Sequence, residues 1–239
     1  MSKTIHTISL IGAGNVAQHL GSSFRTQGID ILDVFSRKKK NATALAKDIS
    51  AKAVTDFSKI NKQADCYLIA VSDDAIEEVT TKLAKYLDTE KALVVHTSGA
   101  TPSTVLKPHF KHYGVFYPLQ SFSKTSKPDF RQIPLCIDGH YAADRKAMQK
   151  LAALLSPKVY LINDAARAKL HVAAVFVNNF SNYMYQAAAE ILEGEQLPFD
   201  LLRPLLLETA LKVQDQSPKD MQTGPAIRGD THTIERHLS

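Results

Sequence analysis

A chain of 239 residues with 44% hydrophobic and 22% charged residues is long and apolar enough to bury one large core or two smaller ones. Its formal charge of +5 is modest for that length, so charge alone singles out neither nucleic acid nor a membrane surface as a partner. No eighteen apolar residues run together, the start MSKTIHTISLIGAG has no signal-type apolar stretch with a cleavage site, and Cys66 and Cys136 lie in apolar runs without CxxC or metal-ligand spacing. The expectation is a cytoplasmic protein with reduced thiols and no bound metal.

The first predicted strand, residues 7–11, runs into Gly12-Ala13-Gly14-Asn15-Val16-Ala17, and a helix is predicted over 15–27, closed by Gly28. This is G-x-G-x-x-A in its strand-to-helix context. The first glycine allows a tight turn, the second lets the backbone approach a pyrophosphate, and the small third residue lets helix pack on strand. Free N–H groups at the helix start face the anion. Gly12, Gly14, Asn15 and Val16 are therefore candidate dinucleotide contacts.

A second strand over 31–35 ends in Ser36-Arg37-Lys38-Lys39-Lys40, where the adenosine ribose lies in such a unit. A carboxylate there accepts from the 2′-hydroxyl of NAD and repels a 2′-phosphate. Serine donates to that phosphate and arginine pairs with it through two parallel bonds, so Ser36, Arg37 and Lys38 favour NADP. Asp33, near the spacing expected of a ribose-binding acid, is the counter-argument; its place before the last apolar pair puts it earlier in the strand. Lys39 and Lys40 read as surface charge.

A helix over 41–49 with Asn41 as N-cap, a strand over 52–54 and a strand over 65–71 follow. Val71 and Ser72, at the carboxyl end of that strand, are expected beside the nicotinamide half of the cofactor, and Asp73 or Asp74 opens a helix running to residue 87. The strand over 92–96 ends at His96, expected at the cofactor, and is followed by Thr97-Ser98-Gly99, whose glycine suggests close backbone approach to a ligand. Thr101-Pro102 reads as an N-cap followed by a first-turn proline. The strand over 114–117 closes in Tyr117-Pro118-Leu119-Gln120-Ser121-Phe122, which is expected to line the same cleft. Ser98 and Gln120 are the candidate substrate contacts here. Strands over 134–137 and 159–162 flank a helix over 141–155. Strand and helix alternating in this way indicate an α/β fold with a doubly wound, mostly parallel sheet.

From residue 164 the pattern is all helical: 165–193, 198–214 and 217–238. The domains are thus expected at 1–163 and 164–239. The first of these helices is apolar over more than one stripe, which in a small helical domain favours a partner subunit. It also carries His171, a candidate proton donor, and the adjacent pair Asn178-Asn179, costly in an apolar helix unless bonded. On an ideal helix Asn178 returns almost to the His171 face and Asn179 lies about 80° away. Arg228 and Asp230, in the last stretch, are candidate substrate contacts, Arg228 through a substrate carboxylate.

Together GAGNVA, the strand end SRK, AVSDD, HTSGA, YPLQSFS, the helix segment HVAAVFVNNF and GPAIRGD resemble, over nearly the whole chain, the Rossmann-like proteins with a DUF2520 C-terminal domain. These are distantly similar to pyrroline-5-carboxylate reductase and to the 6-phosphogluconate and 3-hydroxyisobutyrate dehydrogenases. The resemblance implies an N-terminal NADP-binding domain, a helical domain that forms a homodimer, and an active site in the cleft between domains, with Asn179 at a family-like position. The dehydrogenase relatives place a catalytic Lys four residues before an Asn, whereas Lys169 is followed at that spacing by Ala173, so their mechanism does not transfer to Lys169. Such a protein would be expected to continue into another helix beyond Ser239. The leading expectation is an NADP-dependent oxidoreductase passing hydride between NADPH and a small carbonyl or imine, with no nucleic acid or membrane partner. The alternatives are a deazaflavin-dependent NADP reductase and an NADP-binding sensor dimer without turnover.

Overall fold

The computed structural model describes residues 4–238; Met1–Lys3 and Ser239, on which the reading of the two chain ends partly rested, lie outside them. Eight strands, β1 Thr7–Ile11, β2 Asp30–Phe35, β3 Lys52–Val54, β4 Cys66–Ile69, β5 Leu93–His96, β6 His112–Pro118, β7 Leu135–Gly139 and β8 Val159–Leu161, form one sheet in the order β3-β2-β1-β4-β5-β6-β7-β8. Every neighbouring pair is parallel except β6 and β7. This is the doubly wound Rossmann arrangement. The strand order reverses between β1 and β4, which opens a crevice over their carboxyl ends.

Alternating residues of the buried strands feed two cores. Cys66 and Leu68 of β4 face one side with Leu20 and Phe24 of α1 (Asn15–Thr26), Leu45 of α2 (Lys39–Asp48) and Met148 of α4 (Ala142–Ala153). Tyr67 and Ile69 face the other with Ile76 and Leu83 of α3 (Ile76–Ala84) and with Leu106 and Phe110. A sheet covered on both faces needs strands apolar throughout, and β4 and β5 are buried at every position.

All eight expected strands form, but several helix boundaries differ. Asn41 is not the N-cap of α2: Lys38 is, because the Ser36 hydroxyl accepts from the Lys38 N–H at 3.3 Å and turns the chain into helix directly. The predicted Asp-led helix opens with a 3₁₀ turn, Asp73–Ala75, before α3. Pro102 itself precedes a short 3₁₀ turn, Ser103–Leu106, and the group that caps it is the Asp164 carboxylate, which accepts from the Ser103 N–H at 2.8 Å.

By internal contacts the chain falls into two compact units, the first ending at Asn179 and the second beginning at Phe180. The long predicted helix is α5 (Asp164–Val175), a π-helical turn (Phe176–Phe180) and α6 (Ser181–Gly194) in unbroken succession. The second unit continues with α7 (Arg203–Asp215). The single helix expected over 217–238 is three pieces, α8 (Pro218–Met221), α9 (Pro225–Arg228) and α10 (Thr231–Leu238). Gly224 at φ 108° and Gly229 at φ 67° break it, and Pro218 and Pro225 restart it. Neither α6 nor α7 contains a buried residue; Ile191 is 73% and Leu205 62% exposed. Among the described residues no helix is long and apolar enough to cross a membrane.

Candidate functional site

A cleft of about 520 Å³ lies over the carboxyl ends of β1, β2, β4 and β5. Its floor is the glycine turn. Gly12 has φ 129°, and a Cβ there would lie 2.1 Å from the Ala70 carbonyl oxygen. Only glycine accommodates both conditions. Its N–H donates to the Phe35 carbonyl at 2.9 Å, tying the turn to the end of β2. Gly14, the N-cap of α1, has no side-chain cap, and a Cβ at this position would meet nothing within 4 Å. Its backbone and the free N–H groups of the first turn of α1 are therefore open to an anion. Ala17 is fully buried and Gly21 admits Leu10 and Ile49, so helix and strand close tightly behind the turn.

One wall is built from the SRKKK segment: Ser36, Arg37, Lys38 and Asn41 line the cleft, while Lys39 and Lys40 are exposed and do not. Lysines at the N-cap and first turn of α2, with no acid among them, oppose the positive end of the helix dipole unless an anion sits there. The Ser36 hydroxyl oxygen is used by Lys38, which leaves its O–H free to donate. Asp33 stands apart from this wall. It is 1% exposed, accepts from the Asn61 N–H at 2.6 Å, does not line the cleft, and is held above the usual carboxylate range chiefly by burial. Phe35 and Phe57, stacked with centroids 3.9 Å apart, form with Val71 and Val79 an apolar slot. Glu78 and Lys82, hydrogen-bonded to each other, complete the rim.

Nine of the proposed cofactor residues thus meet in one place: Gly12, Gly14, Asn15, Val16, Ser36, Arg37, Lys38, Val71 and Ser72. The Asn15 side chain also donates to the Phe122 carbonyl at 2.9 Å, and His19 stacks on Phe122, which docks the PLQSFS loop on α1. The tenth, His96, is fully buried behind the cleft. Its Nδ1 accepts from the Ser98 N–H at 3.2 Å, and burial, aided by the Arg167 guanidinium, pushes its pKa down to about 4. This burial predicts a pH effect on stability. The folded value lies below the 6.5 of a free imidazole, so the unfolded chain binds the extra proton as pH falls from 6.5 to 4. His96 should then withdraw about 3 kcal/mol over that window. His96→Asn is expected to flatten the corresponding slope in urea unfolding measured from pH 7 to 4; an unchanged slope would contradict the assignment.

Beyond the cleft, Ser98 and Gly99 have structural duties. The Ser98 hydroxyl accepts from the Ala100 and Thr101 N–H groups and donates to the Thr101 hydroxyl. Gly99 is approached by protein side chains: a Cβ there would lie 2.6 Å from His171 Nδ1 and 2.6 Å from Tyr117 Cζ. Tyr117 and His171 meet above it, hydroxyl to Nδ1 at 3.2 Å. One turn before His171, Arg167 is 1% exposed, pairs with Asp164 at 2.8 Å and donates to the Thr101 carbonyl at 2.5 Å, fastening α5 to this loop. Partial burial opposes ionisation of Asp164, but the Ser103 N–H and Arg167 outweigh it and hold its carboxyl low.

Gln120 is exposed and accepts from the Ser121 N–H at 2.8 Å. Asn179 lies in the π turn, where its side-chain oxygen accepts from Asn178 at 3.4 Å. That turn corrects the ideal-helix geometry. A π turn holds roughly one residue more than an α turn and sets the phase back by about 100°, so Asn179 rather than Asn178 falls on the His171 face. Arg228 is exposed in α9, and Asp230 accepts from the N–H and hydroxyl of Thr233 at the start of α10. Thr97, expected beside the nicotinamide half, lines the cleft, but composition did not single out Phe57, Glu78 or Lys82 as cleft residues, nor the Tyr117–His171 pairing, because each depends on contacts distant in sequence. Only the strand-ending position of Tyr117 was a signal.

A crystal structure of a "putative NADP oxidoreductase" from Bacteroides fragilis is 41% identical, with a TM-score of 0.90 over 98% of this chain and 90% of that one. The chain belongs to this NADP oxidoreductase family. Its residues 133–239 match the domain of unknown function DUF2520, and residues 7–99 match the coenzyme F420-dependent NADP oxidoreductase domain. The same fold recurs at low identity in oxidoreductases of other names. An imine reductase from Myxococcus stipitatus in complex with NADP+ is 18% identical, with a TM-score of 0.66 over 91% of this chain and 79% of its own. A pyrroline-5-carboxylate reductase from Coxiella burnetii is 16% identical, with a TM-score of 0.65 over 99% and 93%. No curated protein matches the chain. The glycine-turn cleft of this chain thus lies in a fold shared with nicotinamide-dependent oxidoreductases.

Proposed function

We propose that the chain binds NADP(H) in this cleft and transfers hydride between it and a small carbonyl or imine. The observation that carries the reading is the Ser36-Arg37-Lys38 wall at the acid-free start of α2, with Asp33 turned into the core. These residues would hold the 2′-phosphate, Gly12, Gly14 and the first turn of α1 the pyrophosphate, the Phe35–Phe57 slot the adenine, and Val71, Ser72 and Thr97 the nicotinamide end. When bound, the dinucleotide supplies hydride only, so a protein group must handle the proton. His171 is the proposed proton source, Asn179 shares its helix face, and Ser98 serves by holding the loop between them and the cleft. The exposed apolar side chains of α6 and α7, such as Ile191, Leu205 and Leu207, support a homodimer through the helical unit. The buried Cys66 and Cys136, without CxxC spacing, fit a reducing compartment, the cytoplasm.

The match of residues 7–99 to a coenzyme F420-dependent domain favours a second reading, hydride exchange with a deazaflavin. It covers only the nucleotide half and leaves the second substrate open. NADPH oxidation followed with keto acids, cyclic imines and an oxidised deazaflavin separates the readings. Turnover of a carbonyl or imine supports the first, and turnover of the deazaflavin alone the second. Tight NADPH binding with no oxidation across the panel would instead favour a sensor.

A further inference from the structure

We infer that Tyr117 is the catalytic residue that meets the reacting oxygen or nitrogen of the substrate, with His171 behind it as the group that reloads it. The inference rests on the reductase reading above and refines which side chain delivers the proton. Tyr117 stands at the carboxyl end of β6, the edge at which open parallel sheets bind ligands. Its ring meets His171 edge to face, with centroids 6.1 Å apart, and the hydroxyl lies 3.2 Å from Nδ1.

Three observations place this pair near the cleft. Gly99 lies so close beneath both rings that any side chain would collide with them. Thr97, two residues earlier, lines the cleft, and two residues span at most about 7 Å. Asp73, next to the cleft residue Ser72, is near enough to act on the charge of Tyr117. Both Tyr117 and His171 are only partly buried, so a ligand can reach them. Arg167 and Asp164 fix the turn of α5 that carries His171, which makes the pair rigid before substrate arrives.

Burial pushes the Tyr117 phenol up to about 12, so it carries its proton throughout the neutral range. In the reduction of a carbonyl, a bound reduced nicotinamide would supply hydride to the carbon, and the C=O π pair would move to oxygen. That oxygen takes the Tyr117 proton. The phenolate then draws a proton from His171 Nδ1 as Nε2 takes one from water, and the imidazole regains its first tautomer by exchange. One hydride and one proton have been added, and the proton comes ultimately from solvent.

The test uses the whole chain labelled with [13Cζ]-tyrosine and loaded with NADP+, so that no turnover intervenes; the Tyr117 resonance is identified by its loss in Tyr117→Phe. Pyruvate, cyclohexanone and 1-pyrroline are the probes. At least one should shift the Tyr117 signal, and Gly99→Ala, which forces the pair apart, should abolish the shift. If NADP+ binds and no probe moves Tyr117, the inference is overturned while the nucleotide reading stands. If NADP+ does not bind, the nucleotide reading fails and the inference fails with it. With any probe that turns over under NADPH, the near-isosteric Tyr117→Phe is expected to lower kcat by about 10²-fold or more with little change in NADPH affinity. His171→Gly should lose less and recover with added imidazole, which a purely structural histidine would not do. An unchanged kcat in Tyr117→Phe would also overturn the assignment.

Discussion

Arg37→Asp is expected to raise the Kd for NADPH by roughly 10²–10³-fold while changing that for NADH by no more than about threefold. A hydrogen bond between charged groups contributes about 1.5–3 kcal/mol, and the substitution both removes it and places a carboxylate against the 2′-phosphate. Ser36, a neutral donor, and Lys38, a point charge at the N-cap of α2, would keep only part of the preference. Arg37→Lys should cost NADPH only about tenfold, because charge survives but the planar fork does not. Fluorescence titration of both nucleotides checks this. Equal losses for NADPH and NADH would mean that Arg37 does not read the phosphate.

Gly12→Ala and Gly14→Ala should fail in opposite ways. At position 12 the new methyl group meets the Ala70 carbonyl at 2.1 Å on a backbone with φ 129°. Strain of about 1–3 kcal/mol adds to overpacking of about 1–3 kcal/mol, so unfolding free energy should fall by about 2–6 kcal/mol and nucleotide binding should go with it. At position 14 φ is −85° and a Cβ has open space. Stability there should change by less than about 1 kcal/mol while the methyl group, standing where a pyrophosphate would lie, weakens NADPH tenfold or more. Urea unfolding and nucleotide titration on the same two proteins separate the outcomes, and a Gly14→Ala protein that binds normally would contradict the pyrophosphate placement.

Both predictions concern residues that could be read from sequence. The glycine turn and the SRKKK segment are local signals: a tight turn, a helix start and a strand end each leave their mark within a few residues, and the period-2 and period-3.6 patterns around them gave all eight strands and the long helix. Composition and spacing thereby determined the fold class, the glycine turn and the basic segment that lines the cleft. What lay beyond them was anything set by groups far apart in the chain. Asp33 has an ambiguous spacing until Asn61 is seen to donate to it. Gly99 looked like a ligand contact because nothing local shows that Tyr117 and His171 press on it. The π turn that moves Asn179 onto the His171 face leaves no trace in a residue count. Burial, hydrogen-bond satisfaction and close backbone approach are properties of the folded neighbourhood, so only the tertiary structure could decide which polar residues hold the protein together and which remain free for chemistry.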